Sequence, residues 1–295
     1  MQSADFLSAV FFYLKVGENL NQNWIVENLN NAFSTWNGKL GELWGLVTTG
    51  PQTFKGGAVW SVMQTLHNGM VGIGYALVVL FFAISLCKNT MNFHELKRPE
   101  AAIHYLIRFV AAKALVSYGM DIMLNVFSIC NGIVTDMADS MGGISEAMVS
   151  LPAEMQTAIE NVGFLASIPL WLVTILGSLF ITVLSFVMIL TVYGRFFRLY
   201  MYTALAPLPL AAFAGESTQS VGISFLKSYV GVCLEGAVIV LACVIYSAFV
   251  STPTVTSGEA TTIVWSYLAE TVFNMLVLVG LIKGSDRIIH EMMGL

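Results

Sequence analysis

Residues 170–193 run from Leu170 to Tyr193 without a single charge. A helix of that length exceeds the roughly 30 Å hydrocarbon core of a bilayer at about 1.5 Å per residue. Arg195 and Arg198 close the run. The mostly apolar stretch 199–214 that follows is too short to cross comfortably, and it contains Pro207 and Pro209. Broken backbone survives at membrane depth only where protein or water covers it. The stretch is therefore expected as a re-entrant or interfacial segment at the inner face. Four further apolar runs predict spans at about 68–87, 103–134, 229–250 and 263–283. Ahead of them, Leu29, Phe33, Trp36, Leu40, Leu43 and Val47 recur at spacings of three and four, opposite Asn30, Ser34, Asn37 and Gly41. That pattern is an amphipathic helix lying in a membrane interface or against a partner, ended by Gly50-Pro51. The expected architecture is all-α and integral to a membrane. Residues 1–66 form an external amphipathic region, and residues 67–295 a membrane domain of five transmembrane helices and one proline-broken segment.

Composition agrees with this reading. Hydrophobic residues make up 57% and charged residues 11%, against about 25% charged in soluble domains. A net charge of -5 leaves no basic surface for nucleic acid. Cys87, Cys130, Cys233 and Cys243 all fall in apolar runs and read as small buried hydrophobes. The N-terminus lacks a basic leader and is not read as a cleaved signal peptide. No HExxH, no GxxxxGK[ST] and no GxSxG occurs, so no catalytic centre, cofactor or metal is expected. The fifteen methionines are core filler before they are ligands.

The bases set the orientation, because cytoplasmic loops collect Lys and Arg. With 199–214 dipping and returning, Lys88, Lys97, Arg98, Arg195, Arg198, Lys227, Lys283 and Arg287 all fall inside. The loop 136–161, with Asp136, Asp139, Glu146, Glu154 and Glu160, and the loop 251–262, with Glu259, carry no base and fall outside. The N-terminus is then external and the C-terminus cytoplasmic. Trp24, Trp36, Trp44, Trp60, Trp171 and Trp265 are expected in an external aromatic belt.

Within the spans, Lys113, Ser117, Asp121, Asn125, Ser128 and Asn131 project onto one face of the second, within an arc of about 120°. Such a face lines a conduit or seals against a neighbouring helix, and the structural seam is favoured. Glu235 and Glu270 are further intramembrane carboxylates, each placed to pair with Lys113 or to be held neutral. Gly69, Gly72, Gly74 and Ala76 on the first span, and Thr174, Ser178, Thr182 and Ser185 on the third, read as ordinary close helix packing. Gly72 and Ser178 are candidate contacts between subunits.

The order of these parts, with RFFRLYMYTALAPLPLA at residues 195–211 as its sharpest motif, resembles the TrbL/VirB polytopic inner-membrane proteins of type IV secretion systems. These are the sixth VirB component, here in the variant of Gram-positive conjugative elements. The resemblance implies a non-enzymatic platform or channel subunit in the bacterial cell membrane. It further implies a homo-oligomer working beside secretion ATPases and other subunits, in transient contact with transferred DNA or protein. The competing expectation is a small ion-coupled transporter using Asp121, Glu235 or Glu270.

Overall fold

The computed structural model describes residues 2–90, 99–140, 148–162, 164–249 and 260–294. The expected loop bases Lys97 and Arg98, the acidic Glu146 and the loop residue Glu259 lie outside the described residues. The elements are helical throughout: α1 Gln2–Thr48, α2 Ala58–Thr90, α3 Pro99–Ser117, α4 Gly119–Ser140, α5 Ala153–Glu160, α6 Phe164–Leu205, α7 Pro207–Ala211, α8 Gln219–Phe249 and α9 Ala260–Met293. Among the described residues, four helices are long and apolar enough to cross a membrane: Phe54–Lys88, Ser167–Leu205, Gln219–Ala248 and Thr262–Met293. A fifth crossing exists if the bent pair Ile103–Ser117 and Gly119–Asp139 counts as one.

The expected span over 103–134 is bent. The two halves meet at 72°. Ser117 turns its hydroxyl back onto the Lys113 carbonyl at 2.8 Å, a bond that loosens a helix. Gly119 sits where a Cβ would lie 3.2 Å from Leu210 and 3.5 Å from His67. A Ser–Gly pair at a tight contact is a recognised cause of a sharp kink. Span limits shift as well. Asp136 and Asp139 belong to α4, not to a loop, and Lys227 lies inside α8.

The chain divides into two compact units. The first takes Met1–Trp44, Gly142–Thr191 and Ala242–Lys283. In it the apolar stripe of α1 is fully covered, with Ile25, Leu29, Trp36, Leu40 and Leu43 at 0% exposure. The stripe's partner is the protein itself. Trp24 meets Trp171 at 5.7 Å between ring centroids, Asn28 donates to the Ser178 hydroxyl at 3.1 Å, and Phe33 packs edge-on to Tyr267. A helix too polar to cross a bilayer alone docks here because its stripe needs apolar cover. Ser178, half-buried, thus also makes a contact within the chain. Thr174, Ser178, Thr182 and Ser185 each bond a carbonyl of their own helix one turn back. Asn37 holds Val149 through two hydrogen bonds of 2.8 and 2.9 Å, and the Tyr267 hydroxyl donates to the Ser150 carbonyl. Amphipathic α5 follows, with Met155 and Ile159 buried. Trp36 is core, so it takes no part in an aromatic belt.

The second unit takes Gly45–Met141, Val192–Leu241 and Gly284–Leu295. Its entry turn needs three consecutive positive φ angles, at Lys55, Gly56 and Gly57. Two glycines supply this cheaply. The turn then places Phe54 flat on Phe196 at 4.0 Å. Short α7 packs against α2 and α3. At Gly74 an added Cβ would stand 2.9 Å from Val116 and 3.0 Å from the Pro207 carbonyl. Gly74 is thus the close-packing position of the first span, whereas Gly69 and Gly72 face open space. Three cysteines are buried as expected, but Cys87 is exposed.

Candidate functional site

Prolines organise the polar chemistry of the second unit. A proline at position i cannot donate to the carbonyl at i−4, so that oxygen needs another donor. The Val47 carbonyl, in the last turn of α1 ahead of Pro51, has no intrahelical donor, and Arg195 Nη1 donates to it at 3.4 Å. Pro207 frees the Thr203 carbonyl, and the buried His67 Nδ1 bonds it at 2.7 Å. The neighbouring Thr48 carbonyl accepts from Asn131 at 3.2 Å, and the Pro51 carbonyl accepts from the Tyr200 hydroxyl at 2.8 Å. The C-terminus of α1 is therefore capped by side chains from α4 and α6. A cation there also meets the negative end of the helix dipole.

Arg195 and Arg198 do not end a helix. They lie within α6, which continues to Leu205, because their charges are satisfied internally. Arg195 is completely buried. Its Nε donates to the Val232 carbonyl at 3.3 Å and its Nη2 to the Cys233 carbonyl at 3.1 Å. Its guanidinium occupies the space left by a glycine on α8: a Cβ on Gly236 would lie 2.8 Å from both terminal nitrogens. One turn on, Arg198 Nη2 donates to both carboxylate oxygens of Glu235 at 2.7 Å, and its Nη1 pairs with Asp286. The Ser285 hydroxyl donates to Glu235 at 3.2 Å. Glu235 thus pairs with Arg198, not with the expected Lys113, which stands exposed on α3. Two guanidinium groups and two carboxylates tie α6, α8 and α9 together. Sequence reasoning noticed Arg195, Arg198 and Glu235 separately, and no spacing rule linked them.

The expected polar face is divided by the bend. Asp121, Asn125, Ser128 and Asn131 stay together on α4 and, with Gly50, Pro51 and Gln52, line an open groove of about 520 Å³. Lys113 and Ser117 remain on α3 and do not line it; Ser117 instead meets the Tyr75 hydroxyl at 2.9 Å. Asp121 is exposed at the groove mouth. Its replacement by asparagine is expected to change stability by no more than about 0.5 kcal/mol, as for an unpartnered exposed side chain. A detergent melt with an unchanged midpoint checks this. Glu270 stands exposed on α9, one turn from the buried Asn274. Pro207 is buried at the start of α7, and Pro209 is half-buried. Among the described residues no group of three or more His, Cys, Asp or Glu converges on a point.

Several long apolar helices, tied by an ion pair on a buried carboxylate, define a multi-pass membrane protein. Residues 36–207, more than half of the chain, match the family described as TrbL/VirB6 plasmid conjugal transfer like protein, and the chain belongs to that family. The matched range takes in Trp36, the arginine pair of α6 and Pro207. No curated protein and no solved structure matches the chain. Membership makes it a subunit of a type IV secretion or conjugation system and implies association with other components of that system. The family is a structural component of such systems, not known as an enzyme.

Proposed function

We propose that the chain is a platform or channel subunit of a conjugative DNA-transfer machine, working as an oligomer beside separate secretion ATPases and other channel subunits. The observation that carries this reading is the family match across residues 36–207 of a chain whose helices are long enough to cross a bilayer repeatedly. The internal ion cluster supports it: Glu235 is committed to Arg198 and Ser285. A carboxylate held in that way serves as a rigid brace between helices. The groove on α4, with Asp121, Asn125 and Ser128, is a candidate polar surface toward the transfer path. Removal of the gene from a donor cell should abolish conjugative transfer, and expression in trans should restore it. Normal transfer without the protein would overturn the reading.

The proposed topology is bacterial cell membrane, N-terminus outside and C-terminus cytoplasmic. Lys227, Lys283 and Arg287, all exposed, support it through the clustering of bases on cytoplasmic faces. Arg195 and Arg198 no longer count toward that bias, since Arg195 is buried on backbone carbonyls and Arg198 is paired with Glu235 and Asp286 within the protein. A cysteine at Arg287, which is 85% exposed at its side chain, is expected to resist a membrane-impermeant thiol reagent in intact cells and to react after permeabilisation. Ser285 is unsuitable as a reporter, being fully buried against Glu235. Labelling at position 287 in intact cells would reverse the orientation.

A further inference from the structure

The position of α1 has a consequence for the path itself. Within the first unit, α1 lies parallel to α6. Trp24 meets Trp171, Asn28 meets Ser178, and the Lys39 ammonium sits 5.9 Å over the Phe186 ring. From Trp24 to Lys39 this side-by-side run covers about 22 Å at 1.5 Å per residue. That is most of the roughly 30 Å thickness of a hydrocarbon core. The part of α6 it follows is the one with the highest claim to bilayer depth: Leu176, Leu179, Val183, Phe186 and Leu190 are all exposed and apolar, as a lipid-facing stripe should be.

The outward face of α1 has the opposite character. Glu27, Asn30, Asn31, Ser34, Gly38 and Gly41 are exposed. An added Cβ at Gly38 or Gly41 meets nothing within 4 Å. Lys39 and Glu42 form a half-exposed ion pair at 2.6 Å beside it. Carboxamides, a carboxylate and an ion pair at membrane depth face protein or water, because lipid cannot satisfy them. α1 is not among the helices apolar enough to cross a bilayer alone.

We propose that the exposed face of α1 lines a water-filled path enclosed between copies of this chain. The proposal rests on the reading of α6 as a membrane crossing and of the protein as an oligomeric transfer subunit. It assigns the path to a helix expected in a membrane interface or against a partner, and it makes α1 a crossing in the direction of α6, with Lys88 then outside and the bent pair of α3 and α4 a re-entrant loop. The lining is mostly uncharged carboxamide, hydroxyl and glycine. Such a wall stays wet without a strong fixed charge, so a hydrated, charged polymer can pass without being held.

The test uses full-length protein in native membranes, with the four cysteines replaced by alanine. Single cysteines go at Ser34 and Gly41 on α1, at Leu179 and Val183 on α6, and at the buried Leu40 as a folding control. A charged, water-soluble methanethiosulfonate is applied to both membrane faces. Ser34→Cys and Gly41→Cys are expected to label to completion, while Leu179→Cys, Val183→Cys and Leu40→Cys stay unlabelled. Resistance at Ser34 and Gly41, with copper-phenanthroline cross-linking of each position to itself in a neighbouring copy, would make the face a dry helix seam and overturn the proposal. Resistance without cross-linking would overturn it too, while leaving the membrane crossing of α6 intact. Full labelling of Leu179→Cys and Val183→Cys would remove α6 from the bilayer, and the proposal would fall together with the reading beneath it. Reaction at Leu40 would show a loosened α1 and overturn the packing on which the argument stands.

Discussion

Replacing Arg198 with alanine is expected to destabilise the protein by about 3 kcal/mol, the lower end for breaking a buried ion pair. The lower end applies because the Arg198 side chain is 28% exposed while that of Glu235 is 1% exposed. Water can reach the arginine's side of the contact but not the carboxylate. Without the guanidinium, Glu235 keeps only the Ser285 hydroxyl, and Asp286 loses its Arg198 contact. The measurement is a melt of the detergent-solubilised protein followed by fluorescence-detected gel filtration, together with membrane abundance. A second variant separates the charge from the shape. Arg198→Ala combined with Glu235→Gln removes the stranded charge and keeps the hydrogen bond to Ser285, so more than half of the loss should return. If the double variant is no more stable than the single one, the cost lies in lost arginine packing and the ion pair is not the brace described here.

The second large effect belongs to Gly236. A methyl group there would stand 2.8 to 2.9 Å from three atoms of the Arg195 guanidinium. Ordinarily a long side chain would swing aside. Here the guanidinium is held by carbonyls of Val47, Val232 and Cys233, so moving it strands a buried charge. Gly236→Ala is expected to cost about 1–3 kcal/mol, the range for an overpacked core. Arg195→Met in the same chain removes the obstacle, and the two changes should couple by at least about 0.5 kcal/mol in a double-mutant cycle. Additive losses would mean that the guanidinium can relocate, and that the glycine is there for some other reason.

These two sites show why part of the molecule was legible in the sequence and part was not. The three-and-four spacing from Leu29 to Val47 located a helix and its buried face, because helical periodicity is a local property of the chain. The long apolar runs located the long apolar helices for the same reason. The break after residue 205 was readable from Pro207, since a missing N–H is written in the residue itself. The bend at Ser117–Gly119 was not readable as a bend. Serine and glycine are tolerated in straight helices, and what makes them a kink here is Leu210 and His67 arriving from elsewhere in the chain.

Partner choice was beyond the sequence altogether. Asp121, Glu235 and Glu270 looked alike as carboxylates in apolar surroundings. Packing gave one of them an arginine nitrogen bonded to both its oxygens and left the other two exposed. The same holds for the stripe of α1, which periodicity shows to be buried without saying against what. Lipid interface and neighbouring helix are both apolar, and local spacing cannot tell them apart. Only the tertiary contacts with Trp171, Ser178 and Tyr267 decided for the helix. By itself, then, the sequence determined the helices, their apolar faces and the membrane class, all short-range quantities. The tertiary structure alone decided which charge meets which and which faces remain open, because those depend on distances between residues far apart in the chain.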